Sequence, residues 1–121
     1  MKRTITILAI LALAATTAVA DASIGNAKWL HDKWMAIKGT EVTNTMDLAV
    51  YDGFVMGVVQ VTQQSNPRAF AIPEGTTLGQ LFTTVGGYLE SHPDEWNADA
   101  GTVVVRALQH RFPSATQGAQ R

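Results

Sequence analysis

Apolar residues recur at helical spacing over most of the chain, and this pattern predicts an all-α fold. Four helices are expected: Lys28–Ile37, a long helix that ends at Asn66-Pro67, Leu78–Ser91, and about Thr102–Arg111. Thr43, Asn44 or Thr45 can cap the second helix, and Asp99 or Gly101 begins the fourth. Short turns could add a fifth helix. The valine-rich part of the second helix could instead be a strand, but its pattern continues for about 20 residues without a turn signal, which favours a helix. The chain is therefore predicted to form one small helical domain.

Glycines interrupt two of these helices. Gly53 and Gly57 lie one turn apart in the second helix, and Gly86-Gly87 lie inside the third. Each costs about 1 kcal/mol relative to alanine in a helix interior. They predict close helix crossings within the chain, and Gly53 with Gly57 could alternatively mark helix dimerisation. The apolar face of the third helix is expected to comprise Leu78, Leu81, Phe82, Val85 and Leu89.

The segment before the third helix, FAIPEGTTLGQ, combines a stiff turn with a helix start. Pro73 fixes its own φ and favours an extended residue before it. Gly75 allows the backbone to reverse. Thr77, with Gln80 three residues later, predicts a capping box at the start of the helix.

The first 20 residues have the features of a secretory signal peptide. Lys2 and Arg3 precede an apolar run, and Ala18-Val19-Ala20 fits a cleavage site. The alternative is a membrane anchor, but the apolar run is short for a span of about 20 residues. We expect export, a mature domain over residues 21–113, and a flexible polar tail over 114–121.

Charge and cysteine content narrow the function classes. Removal of Lys2 and Arg3 leaves seven basic and ten acidic residues, a balance that disfavours nucleic acid and anionic membranes as partners. The chain has no cysteine. Disulfides and thiolate metal sites are therefore excluded, and stability must come from helix packing, with dimerisation as a further source of buried area.

No motif for catalysis or for a cofactor is evident. The histidines are scattered over three elements without a metal-ligand spacing, so no metal is predicted. No nucleophile elbow or phosphate loop occurs. The acidic loop Asp94–Ala100 follows the stop at His92-Pro93, and its Trp96 is a residue type that is common at protein interfaces. The loop is therefore a candidate for partner binding.

Three stretches together resemble the Rap/Tai family of type VI secretion immunity proteins. They read GFVMGVV, then FAIPEGTTLGQLFTTVGGYLESHPDEW, then TVVVRALQHRFP. The likeness covers about residues 25–113. The sequence departs from the family pattern where cysteines are usual, because Tyr51, Ala71 and Ser114 stand at those positions.

The resemblance implies a periplasmic helical homodimer without enzymatic activity. Such a protein binds a peptidoglycan amidase injected by neighbouring cells, and a protruding loop occludes the amidase active site. The resemblance puts that loop after Tyr88-Leu89. The partner-binding residues that we predict from it are Glu90, His92, Asp94, Glu95 and Trp96.

Two other functions remain open from the sequence. A periplasmic binding module or stress chaperone without a dedicated effector fits a small exported helical domain with exposed aromatic residues. A small hydrolase would depend on Glu90, His92 and Asp94, which would need a pocket that shifts their pKa values.

Overall fold

A computed structural model describes residues 25–39 and 45–114 of the chain, and these residues form four α-helices. The helices are α1 (Ala27–Ile37), α2 (Thr45–Ser65), α3 (Leu78–Ser91) and α4 (Ala100–Arg111), with a 3-10 turn at Pro93–Glu95. The all-α prediction is confirmed.

The expected signal peptide (1–20) and most of the expected tail (115–121) lie outside the described residues; Ser114, the first residue of that tail, is buried. No helix within the described ranges has the length and apolar character to span a membrane.

One apolar core joins all four helices. Tyr51 of α2 is fully buried at its centre, where its hydroxyl donates to the carbonyl of Phe82 at 2.7 Å and its ring lies 5.5 Å from that of Trp34. Burial raises the pKa of Tyr51, so the phenol stays a hydrogen-bond donor. The largest other fully buried side chains are Leu30, Leu89, Leu108, Val55, Val85, Val103 and Val104.

Helix α3 begins as the sequence predicts. Thr77 Oγ1 accepts from the N–H of Gln80 at 3.1 Å, and Gln80 Oε1 accepts from the N–H of Thr77 at 2.8 Å. This is a complete capping box. Gly75 in the preceding turn has φ +85°, which a side chain would disfavour. Leu78 departs from the prediction, because it is 53% exposed rather than part of the apolar face.

Helix α1 begins one residue earlier than predicted, and helix α4 begins directly after Asp99, one of its two predicted starts. The α3–α4 loop supplies partners for backbone groups at both starts. The N–H of Ala27 donates to the carbonyl of Ala98, and the N–H of Lys28 donates to that of Trp96. Asn26 also caps α1 by accepting from the N–H of Trp29. Asp99 caps α4 in the same way. The loop thus connects the starts of both helices.

The four helix glycines have different environments. A Cβ built on Gly86 would lie 2.2 Å from Cε2 of Trp34, so this glycine does allow a close crossing of α3 and α1. A Cβ on Gly53, Gly57 or Gly87 would meet nothing within 4 Å. The predicted crossing within the chain is therefore wrong at these three positions, since within residues 25–39 and 45–114 no helix lies over them.

Candidate functional site

The predicted partner-binding residues lie on one short segment, residues 90–97, which spans the end of α3, the 3-10 turn and the start of the loop. We call it the 90–97 segment. Pro93 stands at the first position of the 3-10 turn, where its missing N–H costs nothing. The acidic loop predicted from the sequence is therefore partly a structured turn.

Glu90 is bound to α1. Its carboxylate accepts from Trp34 Nε1 at 2.9 Å and pairs with the ammonium group of Lys38. These two hydrogen bonds, the one from Lys38 foremost, lower the pKa of Glu90, so the carboxylate is charged. The same contacts hold the end of α3 against α1.

Glu95 is bound in a second set of contacts. It accepts from the hydroxyl of Tyr88 at 2.6 Å and from Arg106 Nη1 at 2.7 Å. The hydrogen bond from Tyr88 is the main cause of the lowered pKa of Glu95, and the Arg106 bond adds to it. Burial, with the same bond to Glu95, raises the pKa of Tyr88 to about 12.

The two ring side chains of the segment also have fixed partners. Trp96 donates through Nε1 to the carbonyl of Leu89 at 2.8 Å, and its ring centroid lies 4.3 Å from that of His31. His92 stacks on Tyr88 with ring centroids 3.8 Å apart. Its Nδ1 lies 2.8 Å from the carbonyl of Tyr88, which makes Nδ1 the protonated nitrogen because a carbonyl can only accept.

Asp94 differs from its neighbours. It is exposed, and within residues 25–39 and 45–114 no hydrogen bond or ion pair holds its carboxylate. Contacts thus hold four of the five predicted side chains of the 90–97 segment, and the exposed carboxylate of Asp94 is the exception. These contacts were missed from the sequence, because Trp34, Lys38 and Arg106 belong to other parts of the chain.

The arrangement does not support acid–base chemistry by Glu90, His92 and Asp94. The pKa of Glu90 is lowered, whereas a general acid at neutral pH needs a raised value. His92 lines a cavity of about 340 Å³, but neither Glu90 nor Asp94 does. Among the described residues, no group of three histidine or carboxylate side chains could hold a metal ion.

The fold and this segment define a small helical domain suited to binding another molecule. Comparison with known families identifies the family to which this domain belongs. The family model of the Rap1a immunity proteins matches residues 26–114, which is more than half of the chain. The chain therefore belongs to the Rap1a immunity protein family, as the Rap/Tai resemblance predicted, and the family implies binding to a cognate secreted effector. No curated protein and no solved structure matches the chain at a significant level.

Proposed function

We propose that this protein is exported to the periplasm, where it binds a peptidoglycan amidase delivered by type VI secretion and occludes its active site. The 90–97 segment is the part that enters the amidase groove, with Glu90, His92, Asp94, Glu95 and Trp96 as the contact residues. The observation that carries the proposal is that contacts with α1, α3 and α4 hold the side chains of this segment, while among the described residues Asp94 has no partner.

Rigidity favours inhibition for an energetic reason. Ordering a flexible loop on binding costs about 0.5–1.5 kcal/mol for each immobilised side chain, and a loop that is already ordered avoids this cost. Ser91, the one hydroxyl residue of the segment, donates to the carbonyl of Gly87 and not to a general base. The protein accordingly acts by occlusion, without catalysis, metal or cofactor.

The direct test is inhibition of a purified amidase effector from the same secretion system. Equimolar protein should abolish peptidoglycan cleavage, and Asp94→Lys should weaken inhibition by at least about tenfold, as loss of one buried charged contact would. Glu74→Lys is the matched control, because Glu74 is also exposed and acidic but lies in the turn before α3. Undiminished cleavage at stoichiometric protein contradicts the proposal. Equal effects of the two variants contradict the role given to the segment.

Export has its own test. Cells that produce a periplasm-directed amidase should survive when they carry the full chain and lyse when they carry a variant without residues 1–20. Protection by the truncated variant would contradict periplasmic action. Western blotting of the two cell fractions provides the control for expression.

The proposed homodimer would form through the exposed side of α2. Gly53 and Gly57 line an open groove of about 610 Å³ against α4, and Val61 at its edge is 65% exposed. Gly53 and Gly57 face solvent, and no described residue lies within 4 Å of a Cβ built on either one. They therefore suit a close helix crossing with a second copy of the protein. Gly57→Leu should convert a dimer to a monomer in light scattering, while Gly87→Leu should not. A wild-type protein that stays monomeric at high concentration contradicts this part of the proposal.

A further inference from the structure

A polar trough runs between the exposed side of α3 and the C-terminal half of α4. Two adjoining cavities of about 620 and 340 Å³ form it, and they share Thr83, Thr84 and Arg111 as walls. From Gln80 to Ser91 the trough follows α3 for about 17 Å, at about 1.5 Å per residue. It is open to solvent along this length, which suits an extended chain better than a small enclosed ligand.

The charged groups that line the trough are cationic or can become so. Arg111, His92 and His110 line it, and among the residues that the structure describes no aspartate or glutamate does. The absence is informative because the acidic residues of the whole chain outnumber the lysines and arginines, ten to nine. Glu95 does not line the trough, although it accepts a hydrogen bond from the hydroxyl of Tyr88, which does. The charge of Glu95 is paired with Arg106.

Arg111 is available for a ligand. The other cations on the helices pair with carboxylates: Lys28 with Asp32, Lys33 with Asp47, Lys38 with Glu90, and Arg106 with Glu95. Arg111 has no ion pair within residues 25–39 and 45–114; its guanidinium carbon lies 5.2 Å from the centre of the Phe112 ring. This contact positions the group at the wall of the trough and leaves its N–H donors accessible.

Gly87 leaves room for a ligand backbone. It lies in the middle of α3 and lines the trough, and a Cβ on it would meet nothing within 4 Å. Packing against the part of the chain that the structure describes therefore does not explain a glycine that costs about 1 kcal/mol of helix stability. The hydroxyls of Thr84 and Ser91 donate to backbone carbonyls one turn earlier, so their oxygens can still accept from a ligand N–H.

We propose that the trough is a binding site for an acidic, extended polypeptide segment of a protein partner. A segment of about five residues spans it at about 3.3 Å per residue. Its carboxylates pair with Arg111 and approach His92 and His110, and its backbone passes over Gly87 with N–H groups facing the hydroxyls of Thr84 and Ser91. The trough shares His92 with the 90–97 segment, but binding in it does not depend on occlusion of the amidase.

The test uses the purified protein and a fluorescein-labelled hexaglutamate peptide, with binding followed by fluorescence anisotropy at low salt. Hexaglutamate should bind at least about tenfold more tightly than hexaglutamine of the same length. Amide resonances of Thr83, Thr84 and Gly87 should shift in NMR spectra during the titration. Equal affinity of the two peptides, or shifts confined to other surfaces, would overturn the proposal.

Two variants with matched controls separate the trough from general electrostatic attraction. Arg111→Gln should weaken hexaglutamate binding by about tenfold, whereas Arg68→Gln, which removes another exposed arginine, should leave it unchanged. Gly87→Leu should block the trough, and Ala49→Leu, at an exposed position of α2 outside the trough, should not. Equal effects within either pair would overturn the proposal. Circular dichroism establishes that each variant is folded.

Discussion

Replacement of Gly86 by alanine should separate α1 from α3, although alanine is the better helix former. A Cβ at this position would lie 2.2 and 2.3 Å from Cε2 and Cδ2 of the Trp34 ring. Both atoms belong to the rigid fused part of the indole, so a small torsion of a flexible tip cannot relieve the overlap. Trp34 must move, and it then loses its hydrogen bond to Glu90 and its packing on Tyr51.

The expected change in the free energy of unfolding combines two destabilising contributions and one stabilising contribution. Overpacking of this kind costs about 1–3 kcal/mol, and loss of a hydrogen bond to a charged acceptor costs about 1.5–3 kcal/mol. The higher helix propensity of alanine offsets about 1 kcal/mol of this loss. Gly86→Ala should therefore lower the free energy of unfolding by about 1.5–5 kcal/mol. For a domain of this size, the thermal midpoint falls by about 4–8 °C for each kcal/mol.

The neighbouring glycine provides the control. Gly87→Ala makes the same chemical change one residue later on α3, but its Cβ meets nothing within 4 Å, so it should stabilise the protein by up to about 1 kcal/mol. Urea unfolding followed by circular dichroism measures both variants. In a Trp34→Ala background the penalty of Gly86→Ala should disappear. Equal stabilities of the Gly86 and Gly87 variants, or an unchanged penalty without Trp34, would refute the reasoning.

Three further predictions concern other parts of the fold. Thr77→Ala should lower the free energy of unfolding by about 1 kcal/mol in urea titrations, because it removes the capping side chain of α3; an unchanged midpoint would argue against the cap. Glu95→Gln should be less stable than the wild type at neutral pH, and the difference should shrink in urea titrations as the pH falls through the folded-state pKa, which is below 4.5. The contacts of Glu95 stabilise the wild type only while its carboxylate is charged. A stability difference between the two proteins that stays constant with pH would therefore contradict this prediction. Cysteines at Ala71 and Ser114 should form a disulfide, since the N–H of Ala71 donates to the carbonyl of Phe112; the bridge should raise stability by up to about 4 kcal/mol over the reduced form, whereas thiols that stay titratable under oxidising conditions would refute it.

What could be predicted from sequence depended on how far apart the interacting residues lie. The start of α3 is encoded within four residues, Thr77 to Gln80, and it forms as predicted. The start of α1 has a local cap in Asn26, but it also depends on the carbonyls of Trp96 and Ala98, about 70 residues away, which no local pattern reveals. Leu78 fits the apolar period of α3 and is nevertheless exposed, because none of the described elements buries it.

The same distinction applies to the glycines and to the candidate site. Gly86 and Gly87 are adjacent and chemically identical, and only the indole of Trp34, 52 residues earlier, makes one indispensable and leaves the other open. Likewise the sequence predicts partner-binding residues in the 90–97 segment. It could not show that Lys38 and Arg106 hold Glu90 and Glu95, while Asp94 has no partner among the described residues. Long-range contacts thus divide an acidic stretch into carboxylates that stabilise the fold and one that is available to a partner. Mutations at Glu90 and Glu95 should therefore lower both stability and binding, whereas a mutation at Asp94 should lower binding alone.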